Sequence, residues 1–273
     1  MAAKSKKTKK KKKTSGVKRG NAGGSAAPVK KTNLTDKILL TVLAAVILGG
    51  AAYIIDKTTA WGNSEKAINR MMAAAEKDAV QRNYDRAAAR YEKIIKKFSA
   101  DEEHTEKIKQ AKMNLAKAYK DAQLYIKAIG IYEELVDEYM GENRDMYAWL
   151  VLELAECHNS IFNKSKALSL YEQILEEFRG TDWAAEALFG IAEAHRNSGD
   201  NELARKYYNK IAETYKKGFL SAEALTNVGK IYEAEGRIEK AMEVYSGIVN
   251  DFPEIVTEYA RLRQNALADK IKN

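Results

Sequence analysis

Residues 167–174 read ALSLYEQI, and the chain repeats this order of an Ala, a Tyr four residues later and an aliphatic residue three further on. The instances are Ala87/Tyr91/Ile94, Ala128/Tyr132/Leu135, Ala167/Tyr171/Ile174, Ala204/Tyr208/Ile211 and Ala241/Tyr245/Ile248. Side chains at positions i, i+4 and i+7 share one face of an α-helix. Each instance therefore predicts a helix with one apolar stripe, and recurrence every 37 to 41 residues predicts a repeat architecture.

A second helix is predicted upstream of each of the last four instances. Its mark is an aliphatic residue followed by a small one, at Leu115-Ala116, Leu154-Ala155, Ile191-Ala192 and Val228-Gly229. Small residues let two helices approach closely, and the planar side chains three residues on are expected to fill the space between them: Tyr119, His158, His195 and Tyr232. Gly199 and Gly236 are expected in the turn between the paired helices, where a positive φ favours glycine.

This pattern resembles the tetratricopeptide repeat. The resemblance implies an all-α fold, a right-handed superhelical solenoid of helix pairs, with five repeats over residues 65–254. The first repeat departs from the family pattern, because Ala74-Ala75 and Asp78 replace the aliphatic-small pair and the aromatic residue. Residues 255–273, with Tyr259, Leu262, Ala266 and Leu267, are expected to form a C-terminal capping helix. Only two prolines, in 273 residues, agree with long helices.

The positive charge of the chain is concentrated at its N-terminus. The net charge is +8, but residues 1–37 hold 13 Lys and Arg against one acid, so the remainder is mildly acidic. Residues 1–34 are expected to be a disordered Lys-rich tail that meets anionic lipid and reads no specific nucleic acid. Residues 38–55 read ILLTVLAAVILGGAAYII without a charge, which predicts a transmembrane helix over 35–56 and a linker over 57–64.

A cleaved signal peptide is the competing interpretation of this segment. The long basic region, the length of the apolar run and the poor cleavage site after it favour an uncleaved anchor. Positive charge before the span predicts a single-pass protein of the inner membrane, with a cytoplasmic N-terminus and periplasmic repeats. Thr41, Ala45 and Gly49 recur every fourth residue and would also allow a homodimer.

The combination of tail, span and repeats resembles the ancillary subunit of the bacterial Sec translocon, which chaperones exported proteins. The repeats are also similar to those of the Tol-Pal coordinator and of outer-membrane assembly proteins. The resemblance implies a scaffold or chaperone-like accessory protein of the cell envelope. Two alternatives stay open: an import receptor on an organelle membrane with cytosolic repeats, and an assembly or cell-division factor of the envelope.

No signature of catalysis occurs in the sequence, so no enzyme activity, cofactor or metal is predicted. Zinc-protease, paired-cysteine, phosphate-loop and nucleophile-elbow motifs are missing. Cys157 is expected to be a buried apolar residue, and His158 and His195 are expected to pack in the core.

The binding surface is expected on the concave face, which the first helix of each repeat lines in such solenoids. Aligning the repeats selects eleven protein-binding candidates: Gln110, Asn114, Lys117, Lys120, Trp149, Glu156, Asn159, Phe189, Glu193, Arg196 and Lys230. They predict a polar groove of mixed charge with two aromatic anchors.

Overall fold

The computed structural model describes residues 34–215, 218–252 and 258–272. Eleven α-helices lie in these ranges: α1 Leu34–Val80, α2 Tyr84–Phe98, α3 Thr105–Asp121, α4 Tyr125–Tyr139, α5 Arg144–Ser160, α6 Lys164–Glu177, α7 Asp182–Asn197, α8 Asn201–Thr214, α9 Phe219–Ala234, α10 Ile238–Asp251 and α11 Glu258–Lys272. A short 3-10 helix, Glu102–His104, precedes α3. The predicted tail over 1–34 lies outside the described residues except for Leu34, as do residues 253–257 and Asn273.

The helices form a solenoid of pairs, as the sequence predicted. From α2 to α11 each helix packs against the next, and the first helices α5, α7 and α9 also contact one another in turn. The repeats lie in a compact unit, Thr58–Asn273, and a separate unit covers Met1–Lys57. The predicted all-helical fold is confirmed in the described residues, while the right-handed superhelical twist stays a prediction.

The recurring Ala, Tyr and aliphatic residues form the core. All fifteen are buried, and Tyr91, Tyr132, Tyr208 and Tyr245 are among the largest side chains with almost no exposed surface. The predicted close approach of paired helices is found at Gly229, where an added Cβ would lie 2.6 Å from Cε1 of Tyr245. His158 and His195 are buried between helices, as the prediction of core packing requires.

The turns between paired helices share one backbone conformation. Gly199 and Gly236 have φ of 80° and 73°, as predicted from their position. The three earlier repeats place Arg82, Gln123 and Phe162 in the corresponding turns, with φ between 60° and 61°. The sequence did not predict a positive φ in these three turns, because Arg, Gln and Phe rarely adopt the left-handed conformation.

The first repeat uses the end of α1 as its first helix. Ile68 and Ala75 are buried in the same core as α2, and Asp78 accepts a hydrogen bond of 2.6 Å from Nε of Arg90. An ion pair therefore stands in place of the aromatic residue that the other repeats carry. Residues 57–64, predicted as a linker, are helical and belong to α1.

The N-terminal part of α1 carries an exposed apolar surface. Ten large apolar side chains between Ile38 and Ile55 are exposed. No helix in the described part of the chain is long and apolar enough to cross a membrane. The span predicted over 35–56 also includes side chains outside the described set, those of residues 35–37, Leu40 and Asp56. The membrane span stays a prediction.

Helix α11 covers the last repeat. Ala260 and Leu267 are buried against Tyr245 and Ile248 of α10. Of the apolar residues predicted to face the repeat, Leu267 is buried against it, and Tyr259 meets Tyr245 edge-to-face at 6.2 Å between centroids, while Leu262 and Ala266 are exposed. The apolar stripe of α11 is therefore narrower than its sequence indicates, because it is set by Ala260 and Leu267.

Candidate functional site

The first helices of the central repeats enclose a hollow of about 380 Å³, which we call the central groove. Its walls come mainly from α5 and α7, with Tyr171 from α6 and Leu220 from α9. Five of the predicted binding residues line it: Trp149, Glu156, Asn159, Phe189 and Glu193. The remaining lining residues are Leu152, Glu153, Ser160, Tyr171, Glu186, Gly190, Asn197 and Leu220.

A second hollow of about 450 Å³, the upstream groove, lies between α3, α5 and the start of α7. It contains the predicted residues Gln110, Asn114 and Lys117, and shares Trp149 with the central groove. Trp183 closes one side, and its indole nitrogen donates a 2.9 Å hydrogen bond to Asp145. Eight of the eleven predicted residues thus line two adjoining hollows.

The three remaining predicted residues line neither hollow, because protein groups already bind their charges. Nζ of Lys120 lies 2.6 Å from Glu153 and 2.9 Å from Glu156, so it joins α3 to α5. Arg196 pairs with Glu193 one helical turn away. Nζ of Lys230 lies 5.1 Å from the ring centroid of Tyr259, so α11 contacts this end of the predicted surface.

Glu153 and Glu156 stabilise the protonated form of Lys120. Burial alone lowers the pKa of Lys120, but its hydrogen bonds and charge interactions with Glu153 and Glu156 outweigh burial and raise the pKa above its ordinary value. Lys120 is therefore protonated at neutral pH and offsets one of the two negative charges of Glu153 and Glu156 on the α5 wall of the central groove.

The central groove keeps an excess of negative charge. Four glutamates line it, at positions 153, 156, 186 and 193. Lys120 forms ion pairs with Glu153 and Glu156, and Arg196 forms one with Glu193. Glu186 pairs with no cation among the described residues. Burial raises the pKa of Glu186, and the neighbouring carboxylates of Asp182 and Glu153 raise it further. Among the four glutamates of the central groove, Glu186 is thus the one without a counter-charge from the described residues.

The aromatic walls of the central groove are fixed by edge-to-face contacts. The ring of Trp149 meets Tyr132 at 6.3 Å between centroids, and that of Phe189 meets Tyr208 at 5.4 Å. Such pairs favour one ring orientation. The two anchors predicted from the sequence are therefore held in place before any ligand binds.

Sequence comparison of the repeats could have found the two acids that were missed. Glu186 follows Trp149 by 37 residues, the spacing of these first helices, and Glu153 follows Asn114 by 39. Both hold positions at which another repeat supplied a candidate. Tyr171 was assigned only to the core, because its motif gives no sign that one edge of the ring reaches the groove.

The described residues provide no group of three His, Cys, Asp or Glu side chains that could hold a metal ion. Cys157 is buried. Burial raises the pKa of its thiol to about 12, against the opposing charge of Lys120. At neutral pH the thiol is protonated and unreactive.

Two family models match the chain, and both describe the tetratricopeptide repeat. One matches residues 62–143 and the other residues 186–218 and 223–254, which together exceed half of the chain. The chain belongs to the tetratricopeptide repeat (TPR) family. Residues 144–185, which neither model matches, form α5 and α6 and bury the same three motif residues, so they complete the TPR array. Neither model describes a catalytic family.

Solved structures agree with the TPR fold at low sequence identity. Nearly identical TPR-like repeats assigned to a kinesin light chain of Podosopora anserina match with a TM-score of 0.53 and 15% identity, over 66% of this chain and 92% of that one. A Rap protein complexed with competence and sporulation factor matches at 0.53 and 19%, and the Rap conjugation gene regulator of plasmid pLS20, in complex with the Phr peptide, at 0.54 and 15%. Each of these two matches covers 66% of this chain and 52% of the Rap chain, so the TPR protein spans about half the length of the Rap proteins. No curated protein matches the sequence.

Proposed function

We propose that this TPR protein is a non-enzymatic scaffold, or chaperone-like accessory protein, that holds a segment of a partner protein in the central groove while α1 anchors it in a membrane. The observation that carries the proposal is the central groove itself. It combines fixed aromatic walls with polar side chains that a ligand can reach, and it adjoins a second hollow along the same row of first helices. A chain segment several residues long would fit such a trough better than a small compact ligand.

The groove chemistry supports a protein ligand. Aromatic side chains in partly desolvated hollows are the residues that dominate protein–protein binding energy, and Trp149, Phe189 and Trp183 supply three of them. The two matched Rap structures are complexes, one of them with a peptide. That likeness concerns the fold, and it supports a peptide ligand here by analogy only.

Membrane anchoring rests on the exposed surface of α1. The ten exposed apolar side chains between Ile38 and Ile55 leave a large unshielded area, and surfaces of this kind are found at membranes or protein interfaces. Eighteen consecutive residues without a charge would rise about 27 Å as a helix, close to the thickness of the hydrocarbon core. The Lys-rich residues before it favour a cytoplasmic N-terminus and periplasmic repeats.

This arrangement suits an accessory role beside the protein-export channel of a bacterial inner membrane. A groove tethered at the outer face of that membrane would meet exported chains before they fold. The envelope setting and the role at the translocon come from the sequence resemblance and are proposed on that ground.

Topology and cross-linking together test the proposal. Alkaline phosphatase or a fluorescent protein is fused after Asn273 in a bacterial host, and phosphatase activity without fluorescence is expected. Fluorescence without phosphatase activity would overturn the orientation and favour the cytosolic import receptor.

The two adjoining grooves, which one bound segment would span, are tested in the same cells with a photoreactive benzoylphenylalanine at Lys117 of the upstream groove and a matched control at exposed Glu176 of α6. Cross-links to exported proteins or translocon subunits from position 117, and few from 176, are expected. Equal cross-linking at both positions would remove the groove from the proposal. Cross-links to envelope assembly proteins alone would favour the assembly-factor alternative.

A further inference from the structure

We propose that the central groove selects partner segments that present a Lys or Arg side chain between apolar residues. This inference rests on the proposed function and deepens it by naming the chemistry of the segment. Three independent features of the groove support it: its charge, its aromatic walls and one hydroxyl group without a hydrogen-bond partner among the described residues.

The charge of the groove favours a cation. Its four glutamates face two cations, Lys120 and Arg196, and both of these are engaged in ion pairs with three of the glutamates. Glu186 is left over, and its raised pKa reflects burial and the like charges of Asp182 and Glu153. A ligand cation beside Glu186 would relieve that repulsion, whereas a ligand carboxylate would increase it.

The aromatic walls favour the same ligand. Trp149 and Phe189 offer ring surface in the groove that contains Glu186. Arg and Lys side chains combine an apolar stem with a cationic end, so the stem packs on rings while the end reaches the carboxylate.

The hydroxyl of Tyr171 supplies the third feature. In neighbouring repeats the corresponding tyrosines have partners: Tyr132 donates to Glu153 at 3.1 Å, and Tyr208 and Tyr245 donate to Glu193 and Glu233. Tyr171 is only 4% exposed and lines the groove, yet its hydroxyl has no hydrogen-bond partner among the described residues.

The acceptors that serve the neighbouring tyrosines are engaged or missing around this hydroxyl. Glu156 holds the position of Glu193, which accepts from Tyr208, but Glu156 is paired with Lys120. Tyr132 donates its hydrogen bond to Glu153 of the next repeat. For Tyr171 the equivalent position in the next repeat, 37 residues after Glu153, is occupied by Gly190. Glycine brings no acceptor and leaves the Tyr171 oxygen open to the groove. An ammonium or guanidinium group of a ligand is a donor that this oxygen can accept from.

Peptide pools test the inference on the 273-residue chain in detergent micelles. Each pool contains acetylated and amidated nonapeptides with random residues and one fixed central residue: Lys, Arg, Leu or Glu. The Lys and Arg pools are expected to bind about tenfold more tightly than the Glu pool, since a charge-assisted contact in a partly buried site is worth that ratio. The preference should fall as salt is added.

Two variants and a matched control locate the preference. Glu186→Gln removes the unpaired charge and Tyr171→Phe removes the hydroxyl, and both are expected to reduce the Lys-over-Leu ratio severalfold. Glu223→Gln removes the same charge from the corresponding position of α9. Glu223 does not line the central groove, so this variant is expected to leave the ratio unchanged. Equal melting temperatures of the three variants would exclude unfolding as the cause.

Each other outcome has a definite meaning. Equal binding of all four pools, or preference for Glu, overturns the basic selectivity and leaves the scaffold function intact. Absence of binding by every pool also overturns this inference, and cross-linking from position 117 then decides the scaffold function separately. A preference that survives Glu186→Gln and Tyr171→Phe places the selectivity outside the central groove and contradicts the inference.

Discussion

Tyr171 packs its ring against the backbone of Gly190 so closely that a Cβ at residue 190 would overlap Cε1 and Cζ of the ring. The contact joins the second helix of one repeat to the first helix of the next. It also sets the depth of the central groove, because both residues line it.

Gly190→Ala is therefore expected to lower the free energy of unfolding by about 1 kcal/mol. Replacing glycine by alanine inside a helix gains up to about 1 kcal/mol, but forced overpacking costs about 1–3 kcal/mol, and the second effect is larger here. Urea unfolding followed by circular dichroism measures the change. Gly130→Ala in α4, where a new Cβ meets no atom within 4 Å, is the control and is expected to stabilise the protein. Stabilisation by both substitutions would contradict the close contact.

Phe162→Gly is expected to stabilise the protein although it removes a large side chain. Phe162 has φ of 60° and is 82% exposed, so it contributes strain and little packing. Relief of the left-handed conformation is worth about 1–2 kcal/mol, and the greater freedom of glycine in the unfolded chain offsets about half of it. The urea midpoint should rise, whereas Gly199→Ala in the equivalent turn should lower it. An unchanged midpoint in Phe162→Gly would show that the exposed ring makes a compensating contact.

His158 is expected to make the protein less stable in mild acid. Burial lowers the pKa of His158, and the positive charge of Lys166 lowers the pKa further. The negative charge of Glu133 acts in the opposite direction, but its effect is smaller than that of burial. As the pH falls through about 6.5, the ordinary value for histidine, the unfolded chain takes up this proton before the folded one does, so the free energy of unfolding falls.

His158→Tyr should reduce that loss. Tyr119 holds the equivalent position one repeat earlier, and its hydroxyl donates to Glu92, for which Glu133 is the counterpart. Thermal melting between pH 7.5 and 5 gives the readout, and the difference between variant and parent isolates residue 158 from the acidic residues. Parallel pH profiles would refute the assignment.

Cys157 is expected to resist alkylation in the folded protein. With its pKa raised to about 12, the thiolate fraction at pH 8 is about one in ten thousand, and the side chain is buried as well. Iodoacetamide labelling followed by mass spectrometry should be at least about a hundredfold slower than in urea, where the thiol has its ordinary pKa. Comparable rates in both conditions would mean that α5 opens readily.

The sequence was sufficient to predict the array because the motif that defines it is also its core. Ala87 to Ile248 recur with the spacing of the repeat, and burial of every motif residue leaves little freedom for another fold. The site was predicted less completely. Eight of the eleven proposed residues line the two grooves, since their positions follow from helix periodicity.

The remaining features depend on contacts that periodicity does not encode. Lys120 and Arg196 were expected to meet a ligand, but each has a glutamate within reach on a neighbouring helix or turn. Lys230 lies against Tyr259, whose approach depends on how α11 returns to the last repeat. Glu186 becomes significant because no cation among the described residues forms an ion pair with it, and the sequence around residue 186 does not show this.

Trp149 forms a wall common to the central and the upstream groove. Two short ligands, one in each groove, would touch the same indole ring, so the free energies of their binding cannot be independent. A single longer segment would place two of its side chains on opposite sides of the Trp149 ring, one in each groove. The two side chains would then contribute to binding together. Binding of such a segment would therefore depend on the order of its residues as well as on its composition.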